Sequence, residues 1–301
     1  MTTPITLLRT LMLATLTLVS QRALADVNFN SSRALVVDEA TGQVLLEKNS
    51  QDVAPMASLT KLLTAMVVLD ARQSPEELIT IETSDLDTLK NTRSGVPVGK
   101  SFSRGSLIER ALLTSDNHAA SSLARHYPGG LPAFLEAARL KTESLGLTST
   151  TIVEPTGLSP ENRSSAADLV AVLAAASAYP DIARITSQAQ IRGRDGAQAY
   201  TLRNTNHLVG KKGWEILLSK TGFTNEAGRC VAMRLRSAGR TVLVVLLDAA
   251  ASTGRTLDAL NVSRIVAGET ALPRLPQAMS SAPAKRVARA GARKKATVRI
   301  A

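Results

Sequence analysis

Thr241 to Leu247 is an unbroken Val/Leu run that reads as a strand in the middle of a buried layer, covered on both faces. Two further strands precede it, Trp214 to Ser219 and Arg229 to Leu235. Near the other end, Arg33 to Asp38 and Gln43 to Glu47 read as an antiparallel hairpin turned by Glu39-Ala40-Thr41-Gly42. The stretch from about residue 73 to 190 is mostly helical, with helices at Ser106 to Leu113, His118 to Arg125, Leu131 to Leu145 and Ser165 to Ser177. Ser165-Ala166-Ala167-Asp168 opens the last of these as a capping box, and Asp258 to Val266 reads as a closing helix. Strands at both ends with helices between them predict a mixed α+β domain, one sheet carrying a helical insertion.

The helix predicted between the hairpin and the insertion is anomalous. From Leu59 to Ala71 only Thr60, Lys61, Thr64 and Asp70 are polar, so the helix belongs in a core, and a lysine on its first turn must be neutralised or put to use. Ser58 lies three residues before Lys61, within reach of its amine on the same face. Desolvation lowers a lysine pKa toward neutrality, and a neutral lysine beside a hydroxyl is a base beside a nucleophile. The plainer alternative is a lysine that snorkels to solvent and a serine that only caps the helix.

Two other strings bear on that choice. Ser115-Asp116-Asn117 is the only Ser-x-Asn in the chain and Lys220-Thr221-Gly222 its only Lys-Thr-Gly. The order Ser-x-x-Lys, Ser-x-Asn, Lys-Thr-Gly is that of class A β-lactamases and penicillin-binding proteins. Through these three strings the chain resembles the penicillin-recognising serine acyltransferases. Their chemistry is coherent: Ser58 to attack a carbonyl, Lys61 to take its proton, and Ser115 to relay a proton to the leaving amine. Asn117 offers both an amide donor and an acceptor to a peptide backbone. Lys220 supplies a fixed positive charge for a substrate carboxylate and holds the Lys61 pKa down by repulsion, while Thr221 hydrogen-bonds the same carboxylate. Gly222 permits close approach of the strand to the ligand. The resemblance implies an oxyanion hole formed by the backbone N–H groups of Ser58 and Phe223.

Val153-Glu154-Pro155-Thr156-Gly157-Leu158-Ser159, Arg203 to Val209 and Thr221 to Cys230 resemble the low-molecular-mass penicillin-binding proteins, and within them the D-alanyl-D-alanine endopeptidases of the penicillin-binding protein 7 type. The likeness covers about residues 30 to 268. It implies the β-lactamase/DD-peptidase transpeptidase-like fold, an antiparallel five-stranded sheet flanked by helices. It also implies a periplasmic endopeptidase that hydrolyses D-alanyl-diaminopimelate cross-links of peptidoglycan through an acyl-serine, with β-lactam antibiotics as covalent inhibitors. A D-alanyl-D-alanine carboxypeptidase is the first alternative. Those relatives carry an additional β domain, whereas 35 residues follow Val266 here. A class A β-lactamase stands further back, because four residues after Glu154 that family expects asparagine and Leu158 occupies the place. A wall-binding protein without turnover is a fourth reading, and the complete set of site residues argues against it.

The termini have characters of their own. Arg9, the apolar stretch Leu11 to Val19 and Ala23-Leu24-Ala25 predict a signal peptide over residues 1–25, cleaved to start the mature chain at Asp26. The catalytic domain is then expected over residues 26–268, with a basic, disordered tail over 269–301. Arg9, Arg22 and seven Lys or Arg residues of the last twenty carry most of the formal charge of +11, so the body is no nucleic-acid platform. The tail invites at most weak contact with an anionic surface. Cys230, the only cysteine, reads as an inert thiol in a strand, and the three histidines lack metal-ligand spacing, so neither metal nor cofactor is expected. Gly95 to Ser101 mimics a phosphate loop with one residue too few between its glycines, which argues against nucleotide binding.

Overall fold

The computed structural model describes residues 29–195 and 198–269; the expected signal peptide and nearly all of the basic tail lie outside them. Strands β1 (Ser31–Asp38) and β2 (Val44–Lys48) form the hairpin, then the short β3 (Ala54–Pro55) leads to helix α1 (Thr60–Asp70). Strands β4 (Leu78–Thr80) and β5 (Ser101–Ser103) pair around a long loop. Helices α2 (Arg104–Glu109), α3 (Asn117–Arg125) and α4 (Gly130–Ser144) follow, and β6 (Arg163–Ser164) pairs back with β3. After α5 (Ala166–Ser177) and α6 (Pro180–Thr186) comes a two-stranded ribbon, β7 (Gln190–Asp195) with β8 (Gln198–Arg203). Strands β9 (Glu215–Thr224), β10 (Gly228–Ser237) and β11 (Arg240–Ala249) and helix α7 (Ser252–Val266) complete the domain.

The main sheet has the order β2-β1-β11-β10-β9 and every pairing in it is antiparallel. This is the five-stranded sheet expected, with the Val/Leu run of β11 at its centre. Alternation explains why that run has no polar residue: Leu243, Val245 and Leu247 enter the core shared with α1 and α5, and Val242, Val244 and Leu246 enter the core under α7. The central strand is therefore covered on both faces.

Boundaries shift where polar residues obscure an element. The strand expected to end at Ser219 continues to Thr224, because Lys220, Thr221 and Gly222 pair with Ala232, Val231 and Cys230 of β10 although lysine and glycine are poor strand formers. The helix expected over Ser106 to Leu113 is α2 followed by a π-helical turn, Arg110–Thr114, that ends at Ser115 in the left-handed region (φ 62°). The capping box of α5 is half made. Ser165 accepts from the Asp168 N–H, but the Asp168 carboxylate turns away to Ser149 N and Thr150 Oγ1. Helix α6 and the paired pieces β3/β6 and β4/β5 are too short to leave a periodic signal. Cys230 is buried as expected, its thiol donating to Ala227 O at 3.3 Å and pushed up to about 11 by burial.

The doubly covered strand gives a stability prediction. Leu246→Ala leaves a cavity in the core beneath α7 and is expected to cost about 2–5 kcal/mol, read as a lower denaturation midpoint at unchanged slope.

Candidate active site

Ser58 does not cap α1. It is half-buried in a 3-10 turn, Ala57–Leu59, that enters the helix without a side-chain cap, and Ala57 before it is held at φ 48°. Such a conformation is costly for alanine and fixes the serine at the lip of a cleft. The polar residues of α1 are also accounted for. Asp70, at the far end, pairs with Lys141 at 2.5 Å and accepts from Tyr179 Oη at 2.8 Å. Thr60, Lys61 and Thr64 form a stripe one turn long. Thr60 Oγ1 donates to Ala57 O at 2.8 Å and Thr64 Oγ1 to Pro155 O at 2.7 Å.

Lys61 is 1 % exposed, so it does not snorkel. Its Nζ lies 2.6 Å from Asn117 Oδ1, 2.6 Å from Thr156 O and 3.1 Å from Ser58 Oγ. Burial lowers its pKa from 10.5 to about 8, against the opposing pull of Glu154, Asp116 and Asp87. Two of its three partners are carbonyl oxygens that can only accept. A neutral amine therefore spends both N–H bonds on Asn117 and Thr156, and its lone pair faces the Ser58 hydroxyl.

The loop carrying Thr156 is organised by Glu154. Its carboxylate accepts from the backbone N–H groups of Thr156 (2.6 Å), Gly157 (2.6 Å) and Ser159 (3.3 Å), from Thr156 Oγ1 (2.5 Å) and from Asn162 Nδ2 (3.0 Å). Fully engaged, it holds the loop. Gly157, at φ +83°, packs so tightly that a Cβ there would sit 1.9 Å from Ala57 O.

Ser115 and Asn117 enter from the insertion. Asp116 between them caps α3 through the Ala119 N–H and ties down Ser94 Oγ and Gly95 N at 2.8 and 2.7 Å. The Gly95 segment, whose sequence mimics a phosphate loop, is thus a brace for this turn. Asn117 Nδ2 donates to Thr92 Oγ1 at 2.7 Å, which fixes its amide with Oδ1 toward Lys61.

On the opposite wall, edge strand β9 presents Lys220, Thr221, Gly222 and Phe223. Lys220 is 1 % exposed, and its Nζ donates to Ser115 Oγ at 2.8 Å and Thr221 O at 3.0 Å. Thr221 Oγ1 donates to Thr205 Oγ1 at 2.7 Å. A Cβ on Gly222 would lie 3.0 Å from both Ser58 N and Ala57 Cβ, so only glycine lets β9 pass this close to the nucleophile turn. All the residues singled out from sequence therefore meet at one cleft of about 470 Å³ or directly beneath it.

Burial lowers both lysines, Lys61 to about 8 and Lys220 well below its ordinary value, and the neighbouring Lys61 charge lowers Lys220 further. The cleft is also lined by three arginines, Arg93, Arg229 and Arg255, that the sequence reading did not assign to the site. Arg229, on β10, stacks its guanidinium 3.7 Å above the Phe223 ring, and Arg255, on α7, donates to Cys230 O at 3.2 Å; both line the cleft. Arg255 is lowered by burial and then by Arg229. Arg229 lies within a motif string, but nothing in the sequence tied Arg255 to the site. No group of His, Cys, Asp or Glu suited to a metal ion occurs among the described residues.

A hydroxyl on a strained turn, a buried lysine facing it, a second hydroxyl hydrogen-bonded to a second lysine, and an open strand edge together define a serine acyl-transfer site. A family model described as D-alanyl-D-alanine carboxypeptidase matches residues 19–251, and the chain belongs to that family of serine peptidases. It is 43 % identical to the D-alanyl-D-alanine endopeptidase of Pseudomonas aeruginosa over 78 % of this chain and 76 % of that protein. It is equally similar, at 43 %, to the endopeptidase of Escherichia coli over 73 % and 71 %. Among solved structures, a Streptomyces DD-transpeptidase superposes with a TM-score of 0.74, at 22 % identity over 80 % of this chain and 98 % of that one. A carboxypeptidase from Mycobacterium tuberculosis superposes with a TM-score of 0.68, at 28 % identity over 75 % and 86 %. The expected fold is the one observed.

If the neutral form of Lys61 is the base, acylation by a β-lactam rises with pH through about 8 and falls about tenfold per unit well below it. Stopped-flow acylation rates across pH 6 to 11 check this, and a limb near the free-lysine value of 10.5 contradicts it.

Proposed function

We propose that Ser58, Lys61 and Ser115 carry out acyl transfer on D-alanyl peptides of bacterial peptidoglycan, in the periplasm, and that the bond cut is the D-alanyl-diaminopimelate cross-link. The observation that carries the reading is the Lys61 environment, in which the buried amine meets two fixed carbonyl acceptors and has Ser58 Oγ as its third partner at 3.1 Å. Ser58 Oγ adds to the D-alanyl carbonyl as its proton passes to Lys61. The oxyanion lies against the N–H groups of Ser58 and Phe223. Ser115 accepts from Lys220 and so keeps its own proton to donate to the nitrogen of the leaving amine as the C–N bond breaks. The proton Lys61 took from Ser58 makes good the one Ser115 gave up, so Lys61 is again neutral. Water then attacks the acyl-Ser58 carbonyl as Lys61 takes its proton, and Lys61 returns that proton to Ser58 Oγ as the ester C–O bond breaks, releasing the serine and the peptide as a free acid.

Asn117, Thr221, Gly222 and Phe223 bind the peptide. Its backbone lies beside β9, an unpaired edge that can add main-chain hydrogen bonds. The carboxylate next to the scissile amine goes to Lys220 and Thr221. Once bound it favours the charged form of Lys220, and the neighbouring Arg229 and Arg255 add to the attraction. β-Lactams enter as substrate mimics whose acyl-enzyme hydrolyses slowly. Export by the leader at residues 1–25 fits this setting.

Two curated relatives at 43 % identity are named endopeptidases, which favours a cross-link over a terminal D-alanine. Cross-linked muropeptide dimers are expected to become monomers on incubation with the enzyme, resolved by chromatography; release of D-alanine alone would assign a carboxypeptidase. Ser58→Ala is expected to abolish labelling by fluorescent penicillin, and labelling that persists would remove Ser58 as nucleophile. Glu154→Gln separates this reading from a β-lactamase. Acylation should fall about tenfold as the loop loosens, with deacylation no more affected, whereas an accumulating acyl-enzyme would mark Glu154 as a deacylation base.

A further inference from the structure

The β7/β8 ribbon takes no part in the machinery above. Its register places Gln190, Arg192, Arg194, Ala199, Thr201 and Arg203 on one face, all exposed, and Ile191 and Leu202 on the other, both buried. The outward face presents Arg192 and Arg203. Arg192 lies opposite Thr201 and Arg203 opposite Gln190, so Arg192 and Arg203 are diagonal neighbours, about 7–8 Å apart. Several other surface arginines sit against acids: Arg139 pairs with Glu136 and Glu143, Arg184 with Asp181, Arg236 with Glu215.

The ribbon is fixed in place and close to the cleft. Tyr200, on its inner face, lies across Gly193 and stacks on the Arg110 guanidinium at 4.5 Å, with Phe102 on the guanidinium's other side at 4.9 Å. Arg110 O in turn accepts from Asp116 N at 3.1 Å, which joins the ribbon's anchor to the Ser115-Asp116-Asn117 turn. At its other end β8 runs into Thr205, which accepts from Thr221. Arg203 is two residues from Thr205, at most about 7 Å of extended chain.

We infer that the outward face of this ribbon is a second binding site for peptidoglycan, taking the free carboxylates of another stem peptide in the network while the cleft holds the bond to be cut. The inference rests on the function proposed above. A rigid cationic face beside the cleft raises the effective concentration of a polymeric substrate and does nothing for a small one.

The test compares the full chain with Arg192→Glu/Arg203→Glu and Arg192→Lys/Arg203→Lys. Binding to purified sacculi is measured in a Ser58→Ala background, and cleavage is measured on both sacculi and a soluble cross-linked dimer. Charge reversal is expected to cut sacculus binding and kcat/KM on sacculi about tenfold at low salt, with penicillin acylation and dimer cleavage unchanged. The lysine variant should recover most of the loss, and the wild-type advantage should fade above about 0.15 M salt. Unchanged sacculus binding, or equal losses on sacculi and dimer, overturns the site. So does charge reversal that weakens binding only to anionic phospholipid vesicles, which reassigns the face to a membrane. If the wild type cleaves neither substrate, the proposed function fails, while the binding arm still decides the ribbon.

Discussion

Burial of one ammonium group organises this molecule. Removing the Lys61 charge from water costs several kcal/mol unless partners replace its hydration, and those partners come from separate places: Asn117 from the insertion and Thr156 from the loop before α5. Neither is useful unless its own segment is fixed. Asn117 is held by Thr92 and by the capped turn at Asp116, and Thr156 by the carboxylate of Glu154. The site and the packing of insertion against sheet are therefore one problem. A lysine that makes poor sense in an apolar helix becomes the point around which three parts of the chain agree.

The cleft also has a one-sided charge. Lys61 and Lys220 lie beneath it, Arg229 and Arg255 line it, and no acidic side chain belongs to its lining. Empty, it holds groups whose protonation is disfavoured by burial and by each other. A bound anion would relieve that repulsion and favour the charged forms of all of them.

Much of this was legible from the chain because short motifs and long apolar runs are local signals. The three strings named the residues that meet at the cleft, and the Val/Leu run of β11 marked the centre of the sheet. What could not be read had non-local causes. The extension of β9 through Lys220-Thr221-Gly222 depends on pairing with β10, not on the residues' own preferences. Arg255 reaches the cleft only because α7 crosses the sheet there, and Glu154 could be seen as a loop anchor only from its five donors.

The pairing of β1 with β11 has a consequence beyond the site. Leu35 lies opposite Val245, more than two hundred residues later, and β11 joins the hairpin to β10 and β9. Until β11 is available, the hairpin and the β9/β10 pair are separate fragments with their apolar faces exposed. Contacts of such long range make folding slow, and vectorial delivery postpones them to the end. The sheet cannot close, nor the cleft form, until nearly the whole domain has been made, so no partly finished chain carries the assembled site.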